Sequence, residues 1–301
     1  MIGTYEKACA ERSFHSGFIS SITESFLISI HTKRLRQLLG TERTLVALGA
    51  SDALSAKIIE SHGFECVYIG SYASAASRFA IPDTGALSLP ELAEQARTIV
   101  NAVRVPVIAD AEGGFHDAAN LWRTVQAFEQ AGVAAIHIED HAFGKHAAVA
   151  QKLRPAHAAA ARIRAAVEAR EDPDFLIVAR SDAFWISGDL DDTIARLQLY
   201  AEAGADMVFP TLVGPAELAE VRRRVAKPAM VVDMPGRPLA EHKDAAIVLY
   251  YAFSALVQFD ALNRALARFK GDGTAPGGME QLEKLLGYDA FAGRARKYGE
   301  S

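Results

Sequence analysis

Residues 107–116 read Val-Ile-Ala-Asp-Ala-Glu-Gly-Gly-Phe-His, an apolar run that ends in two carboxylates, Asp110 and Glu112, and a glycine pair. An apolar strand that delivers acids at its C-terminal end, with glycines to turn the backbone, is how α/β folds build a cation or ligand site. Acids in that place also serve simply to cap a following helix. Two further runs end the same way, Ile138-Glu139-Asp140 and Val178-Ala179-Arg180-Ser181-Asp182. Carboxylates gathered from consecutive strand ends repel one another and lose hydration unless a cation neutralises them, so the pattern points to bound Mg²⁺, with Mn²⁺ as the other candidate. Arg180 in that setting could grip a substrate carboxylate or phosphonate through two parallel hydrogen bonds, or else form a salt bridge to the same acids. Gly70-Ser71-Tyr72, closing another run, could offer backbone N–H groups to an anion or a developing enolate, or be no more than a tight turn. Thr211 and Asp233 close two more.

The elements that must position these groups repeat one unit, a short β-branched apolar run followed by a turn and a helix-period segment. The candidate strands are 44–49, 66–71, 105–112, 135–140, 175–182, 207–212, 229–234 and 246–251. Segments rich in Ala, Leu, Glu and Arg lie between them at 89–103, 118–131, 155–169, 190–203 and 215–225. Near-continuous apolar strands alternating with amphipathic helices imply a parallel sheet covered on its outer face. Eight units suit a closed (β/α)₈ TIM barrel with its site among the loops that follow the strands. A doubly wound open sheet is the structural alternative, although no G-x-G-x-x-G follows the first strand and dinucleotide binding has no support. Residues 252–268 read as the eighth helix and 279–298 as further C-terminal helices. The glycine-rich connection 270–278 is long enough to carry them to another subunit. Residues 1–34 read as an N-terminal extension before a single barrel domain, 35–301. The apolar stretch 18–30 is interrupted by Glu24 and too short to span a bilayer.

Half of the 301 residues are hydrophobic, enough for a large core, and the net charge of −5 comes with dispersed Lys and Arg. That balance argues against nucleic acid or an anionic membrane surface as a partner. Cys9 and Cys66 match no metal spacing, which fits a reducing cytoplasm, and Cys66 inside an apolar run reads as a small core residue.

Ala109-Asp-Ala-Glu-Gly-Gly-Phe115, Ile138-Glu-Asp140 with Phe143-Gly-Lys145, Val178-Ala-Arg-Ser-Asp-Ala183 and Pro82-Asp-Thr-Gly85 resemble, in this order, the signature segments of the isocitrate lyase and phosphoenolpyruvate mutase superfamily. The resemblance spans about residues 35–266. It implies an α/β barrel that exchanges its eighth helix between subunits of a homodimer or homotetramer. It also implies Mg²⁺, a small 2-oxo or 2-hydroxy acid, and an enolate formed as a C–C or C–P bond breaks. By position, Asp110, Glu112 and Glu139 resemble the metal-site acids and Asp83 a further acid acting through water. Arg180 resembles the arginine that orients substrate, and Gly70, Ser71 and Tyr72 the loop at the oxyanion end.

The departures bear on the reaction. Superfamily lyases acting on isocitrate or 2-methylisocitrate carry a Cys-containing segment on the loop after the fourth strand, whereas here it reads Phe143-Gly-Lys-His-Ala-Ala-Val149, and the phosphonate branch has Asn where Ala147 stands. Glu112 replaces the usual Asp, Asp233 a common Asn, and Thr211 the Glu of methylisocitrate enzymes. Lys145 and His146 could supply the proton traffic that Cys supplies elsewhere, or be plain solvent-exposed loop residues. His137 reads as a satisfied core histidine, and His116 and His141 carry no assigned chemistry. The expected activity is Mg²⁺-dependent C–C cleavage, close to oxaloacetate decarboxylation, with Lys145, His146 and Arg180 catalytic and Thr211 and Asp233 touching substrate. Phosphonopyruvate hydrolysis or phosphoenolpyruvate mutation is the alternative on the same site, and a non-catalytic metabolite-binding barrel is the rival of another class.

Overall fold

The computed structural model describes residues 30–41, 43–142, 151–233 and 237–299. Its strands are β1 (Leu45–Gly49), β2 (Val67–Ile69), β3 (Val107–Asp110), β4 (Ala135–Glu139), β5 (Leu176–Ser181), β6 (Met207–Pro210), β7 (Met230–Val232) and β8 (Ile247–Tyr250). All are parallel, in the order β6-β5-β4-β3-β2-β1-β8-β7. The two ends of that order meet through a parallel bridge between Val208 and Ala229, with the Val208 N–H donating to Pro228 O at 3.0 Å. The expected (β/α)₈ barrel is what forms. Each expected strand is present, shorter by one to a few residues at its ends.

The strands are apolar throughout because both faces are covered, yet their period of two is strict. Tyr68, Ile108, Leu176, Val178, Met207, Phe209, Met230, Val232, Ile247 and Leu249 share one buried cluster inside the barrel. Their neighbours Val67, Ile69, Val107, Ala109, Ile136, Ile138, Ile177, Ala179, Val208, Val231 and Val248 pack outward against helices.

The helices are α1 (residues 30–39), α2 (Ala53–Ser61), α3 (Ser71–Ser74), α4 (Leu89–Val100), α5 (Trp122–Gln130), α6 (Ala156–Ala169), α7 (Ala183–Ser187), α8 (Leu190–Glu202), α9 (Pro215–Arg224), α10 (Phe253–Asp272), α11 (Met279–Leu286) and α12 (Tyr288–Tyr298). The segment expected as one helix over 118–131 starts with a 3₁₀ turn at Ala118–Asn120, and the further helices expected over 279–298 are two, divided at Gly287, whose φ is +83°. The helices α2, α3 and α7 add to the helical segments named from the sequence. Helix α1 straddles residue 34 and buries Leu35 and Leu38 against the barrel interior, while the Thr32 hydroxyl donates to Asp172 Oδ2 at 2.7 Å. Cys66 is fully buried, and burial pushes its thiol up to about 12, in keeping with a core residue and not a nucleophile.

Helix α10 is tied to the barrel by its first turn, where the buried Ser254 hydroxyl accepts from the Ser51 N–H at 2.8 Å. Beyond that it exposes Leu256, Val257, Phe259, Leu262, Leu266 and Phe269, with Phe259 72% exposed. Among the described residues, no helix is long and apolar enough to cross a membrane.

Candidate active site

The acid-bearing strand ends do converge. Strand β3 stops at Asp110 instead of running on to residue 112, because Glu112 takes up left-handed backbone with φ +52°. That conformation costs a β-carbon-bearing residue roughly 1–3 kcal/mol and persists only where surrounding bonds enforce it. Here they do: the Glu112 N–H donates to Asp110 Oδ1 at 2.8 Å, and the Glu139 N–H donates to Glu112 O at 2.9 Å. Gly114 follows with φ +89° and lies so close to Leu121 that a Cβ would stand 2.2 Å from its Cδ1. Arg162, from α6, donates to the carbonyls of Gly113 and His116 and clamps the turn from outside. The outcome is that Asp110, Glu112 and Glu139, all buried, each present an oxygen within 4.8 Å of the others. The Ser71 hydroxyl, at the start of α3, lies 3.0 Å from Asp110 Oδ2 and 3.3 Å from Asp83 Oδ2, which brings Asp83 to the same place.

Arg180 reaches this cluster from β5. Its Nη1 lies 3.1 Å from Glu139 Oε2, while Nε and Nη2 form a fork on Asp182 at 2.7 and 3.1 Å. Thr211 finishes the arrangement, accepting from Arg180 Nε at 3.0 Å and donating to Asp182 Oδ1 at 2.6 Å. Behind Asp182 stands His141, its Nδ1 at 3.0 Å from Oδ2. Burial works against the charge on Asp182, but Arg180, His141 and Thr211 outweigh it and hold the carboxyl well below the usual range. Burial likewise opposes the Arg180 charge, and Asp182, Glu139 and Asp110 overcome it, so the guanidinium stays protonated. A tethered planar cation aimed into a cleft is suited to a carboxylate or an enolate oxygen.

A cavity of about 230 Å³ opens in front of these groups. Its polar wall is Gly70, Ser71, Asp83, Asp110, Arg180 and Thr211, and its apolar wall includes Tyr68, Phe209, Leu212, Val232 and Leu249. Tyr72 also lines it, packed edge-on against Tyr251 with ring centres 5.5 Å apart. Asp233 is placed elsewhere. Met230 and Val232 take the inward phase of β7, so Asp233 falls on the outward one and meets His242 Nε2 at 3.0 Å. Its expected contact with substrate would need the opposite phase. Lys145 and His146 lie outside the described residues. His137 is a core histidine as expected, its Nε2 bonded to the Tyr68 hydroxyl at 2.8 Å, and it stands under Asp110 with Nδ1 3.6 Å from Oδ1. Trp185 and Tyr251, not among the residues expected at the site, also wall the cavity; for Tyr251 the signal is its place at the end of the eighth strand.

The sequence pattern of the phosphoenolpyruvate phosphomutase family matches residues 35–269. The chain is 36% identical over 270 residues to a 2,3-dimethylmalate lyase of Eubacterium barkeri, covering 86% of this chain and 93% of the relative. It is 34% identical over 255 residues to the 2-methylisocitrate lyase of Salmonella typhimurium, covering 79% and 83%. Among solved structures, a phosphonopyruvate hydrolase bound to oxalate and Mg²⁺ superposes with a TM-score of 0.81 at 28% identity, over 89% of this chain and 99% of that one. An oxaloacetate acetylhydrolase bound to the product oxalate gives a TM-score of 0.81 at 26% identity, over 90% and 99%.

Proposed function

Because the chain belongs to the phosphoenolpyruvate mutase family, and is thereby an enzyme of the isocitrate lyase and phosphoenolpyruvate mutase superfamily, we propose that it is a Mg²⁺-dependent lyase. In this reading it breaks a C–C bond of a small 2-oxo or 2-hydroxy dicarboxylate, in the manner of an oxaloacetate decarboxylase, and stabilises the enolate left behind. The observation that carries the reading is the convergence of Asp110, Glu112 and Glu139 within 4.8 Å beside Arg180.

The donor set fits the ion. Buried carboxylate oxygens this close suit a hard divalent cation such as Mg²⁺, with Mn²⁺ also compatible. Asp110, Glu112 and Glu139 would hold it, and Asp83 would assist through water. When bound, the ion supplies Lewis acidity at a substrate oxygen. The chain's own groups do the rest. Arg180, locked by Asp182 and Thr211, orients the substrate and faces the charge that develops as the bond breaks. Backbone amides of Ser71 and Tyr72 are assigned to the oxyanion end, and the apolar wall of Phe209, Val232 and Leu249 to the exclusion of water. Lys145 and His146 are assigned the proton transfer. We assign a homodimer or homotetramer on the apolar side chains that α10 leaves exposed.

A second reading, C–P bond chemistry as in a phosphonopyruvate hydrolase or a phosphoenolpyruvate mutase, draws on the superposition with the former. One experiment separates them: incubation with Mg²⁺ and oxaloacetate, alkylmalates, methylisocitrate or phosphonopyruvate, followed by assay of pyruvate, glyoxylate and phosphate. C–C cleavage releases pyruvate or glyoxylate without phosphate. Phosphate or phosphoenolpyruvate from phosphonopyruvate, with no product from the other compounds, would overturn the lyase reading.

A further inference from the structure

Past the end of β4 the chain folds back on itself. His141 bridges Leu153 in antiparallel fashion, the Ala142 N–H donates to Lys152 O at 2.7 Å, and the Arg154 N–H donates to Asp140 O at 2.8 Å. From the other side, Arg196 Nη1 donates to Arg154 O at 2.9 Å. The main chain of Arg154 is therefore fixed beside the acid cluster by bonds that do not involve its side chain.

That side chain lies along Gly113, where a Cβ would stand 3.5 Å from Nη2 and 3.9 Å from Nε. Its Nε is buried and meets no hydrogen-bond acceptor among the described residues. The adjacent Arg162 differs, since its guanidinium is taken up by the Gly113 and His116 carbonyls. Burial, reinforced by the positive charge of Arg154, lowers the Arg162 guanidinium to about 10, so the two cations are near enough to repel. Both face a second cavity, of about 420 Å³, walled also by Glu112, Glu139, His116 and His141. Asp110 faces the first cavity and Glu112 and Glu139 the second, so the carboxylate trio is the partition between them. A guanidinium with a desolvated donor and a like charge for a neighbour is in an unfavourable position that a bound anion would relieve.

We propose that the second cavity receives the distal carboxylate of the substrate and that Arg154 is the residue that binds it, so that the site selects molecules with a second carboxylate beyond the reacting end. This rests on the lyase reading above, in which the reacting end occupies the cavity at Arg180. Arg154 is a specificity-determining residue in this scheme and takes no part in bond cleavage.

The test is calorimetric binding in the presence of Mg²⁺ to the full chain, its Arg154→Gln variant and its Arg154→Lys variant. The probes are oxalate, which fills the enolate site and carries nothing beyond it, malate, 2-hydroxyglutarate, and 2-hydroxybutyrate as a monocarboxylate control. The expected result is that Arg154→Gln weakens malate or 2-hydroxyglutarate by about tenfold or more, the loss of one charge-assisted hydrogen bond. Arg154→Lys should recover part of that loss, while oxalate binds all three proteins alike, which also shows the variants to be folded. Dicarboxylate affinity unchanged in Arg154→Gln overturns the proposal, as does an equal loss for oxalate, or wild-type protein that holds 2-hydroxybutyrate as tightly as the dicarboxylates. Failure of the lyase reading looks different: in the turnover assay above, wild-type protein would then leave every dicarboxylate intact, whether or not it binds oxalate with Mg²⁺.

Discussion

Glu139 and Asp140 are neighbours in sequence, both buried and both acidic, and the barrel gives them opposite work. Ala135 and His137 take the inward phase of β4, so Glu139 points into the mouth, where it meets Arg180 and the other two carboxylates. Ile136 and Ile138 take the outward phase, and Asp140 follows them into the helix layer. There it accepts from the Ser181 hydroxyl at 2.8 Å, the Tyr200 hydroxyl at 2.8 Å and the Asp182 N–H at 2.9 Å, with Arg196 Nη1 at 3.5 Å. One carboxylate is supplied with donors by its own protein. The other is assembled with like charges and calls for a cation. The comparison teaches that acidity and burial do not distinguish a structural carboxylate from a functional one in a barrel; strand phase does.

The strongest way to break this contrast is to remove an inward acid. Asp110→Asn should cost at least about 100-fold in Mg²⁺ affinity, beyond what losing an outer hydrogen-bond partner of a ligand costs, and abolish turnover. Its melting temperature should hold or rise, because one of three mutually repelling charges is gone. Calorimetric titration with Mg²⁺ decides the matter, and unchanged affinity would remove Asp110 from the metal site. The mirror experiment is Asp140→Ala, which orphans two hydroxyls and a backbone N–H. A loss of roughly 3 kcal/mol in urea unfolding is expected, with Mg²⁺ affinity retained by whatever protein remains folded. Loss of metal binding without loss of stability would contradict the assignment.

Strand phase is also where the sequence was hardest to read. Asp110, Glu139 and Arg180 were legible as a set because acids and a guanidinium close consecutive apolar runs, and the barrel needed to gather them followed from eight such runs. A continuous apolar strand hides which of its two alternating rows faces in, so Asp233 was grouped with substrate contacts although it lies one residue out of phase with Val232. The left-handed turn at Glu112 was equally hidden, since only the Gly113-Gly114 pair beside it signals a turn, and the strain is imposed by bonds from residues distant in sequence. Arg154 and Arg162 escaped notice because they flank and occupy an alanine-rich segment that reads as an ordinary outer helix. Nothing in that pattern says that it packs against the glycine pair.

Acidification sharpens the contrast with a smaller effect, and it does so between Asp140 and the inward-facing Asp182. The folded state depresses the Asp182 carboxyl below its unfolded value of about 3.9, so its contribution to stability is full above that pH and is lost as pH falls through the lower, folded value. Burial raises the Asp140 carboxyl despite its hydrogen bonds, so its ionisation costs stability at neutral pH, and that cost fades as pH falls from the raised folded value to the unfolded one. Urea unfolding between pH 7 and 3 should therefore show a steeper acid loss in wild-type protein than in Asp182→Asn, while Asp140→Asn changes the slope in the opposite sense. Parallel profiles for all three proteins would mean that the two carboxylates share one environment after all.

The smallest effect tests whether Arg180 works as a positioned group or as a mere charge. Thr211 contributes no charge; it accepts from Arg180 Nε and donates to Asp182 Oδ1, and so fixes the plane of the guanidinium. Thr211→Val keeps the volume and removes both bonds. If orientation matters, KM for the substrate should rise by about fivefold, near 1 kcal/mol, with kcat falling less and the melting temperature nearly unchanged. Serine at 211 should restore the wild-type KM, because it returns the hydroxyl. A Thr211→Val enzyme with unaltered KM would show that the fork on Asp182 is sufficient by itself, and that the inward phase of β6 supplies a wall to the cavity and nothing more.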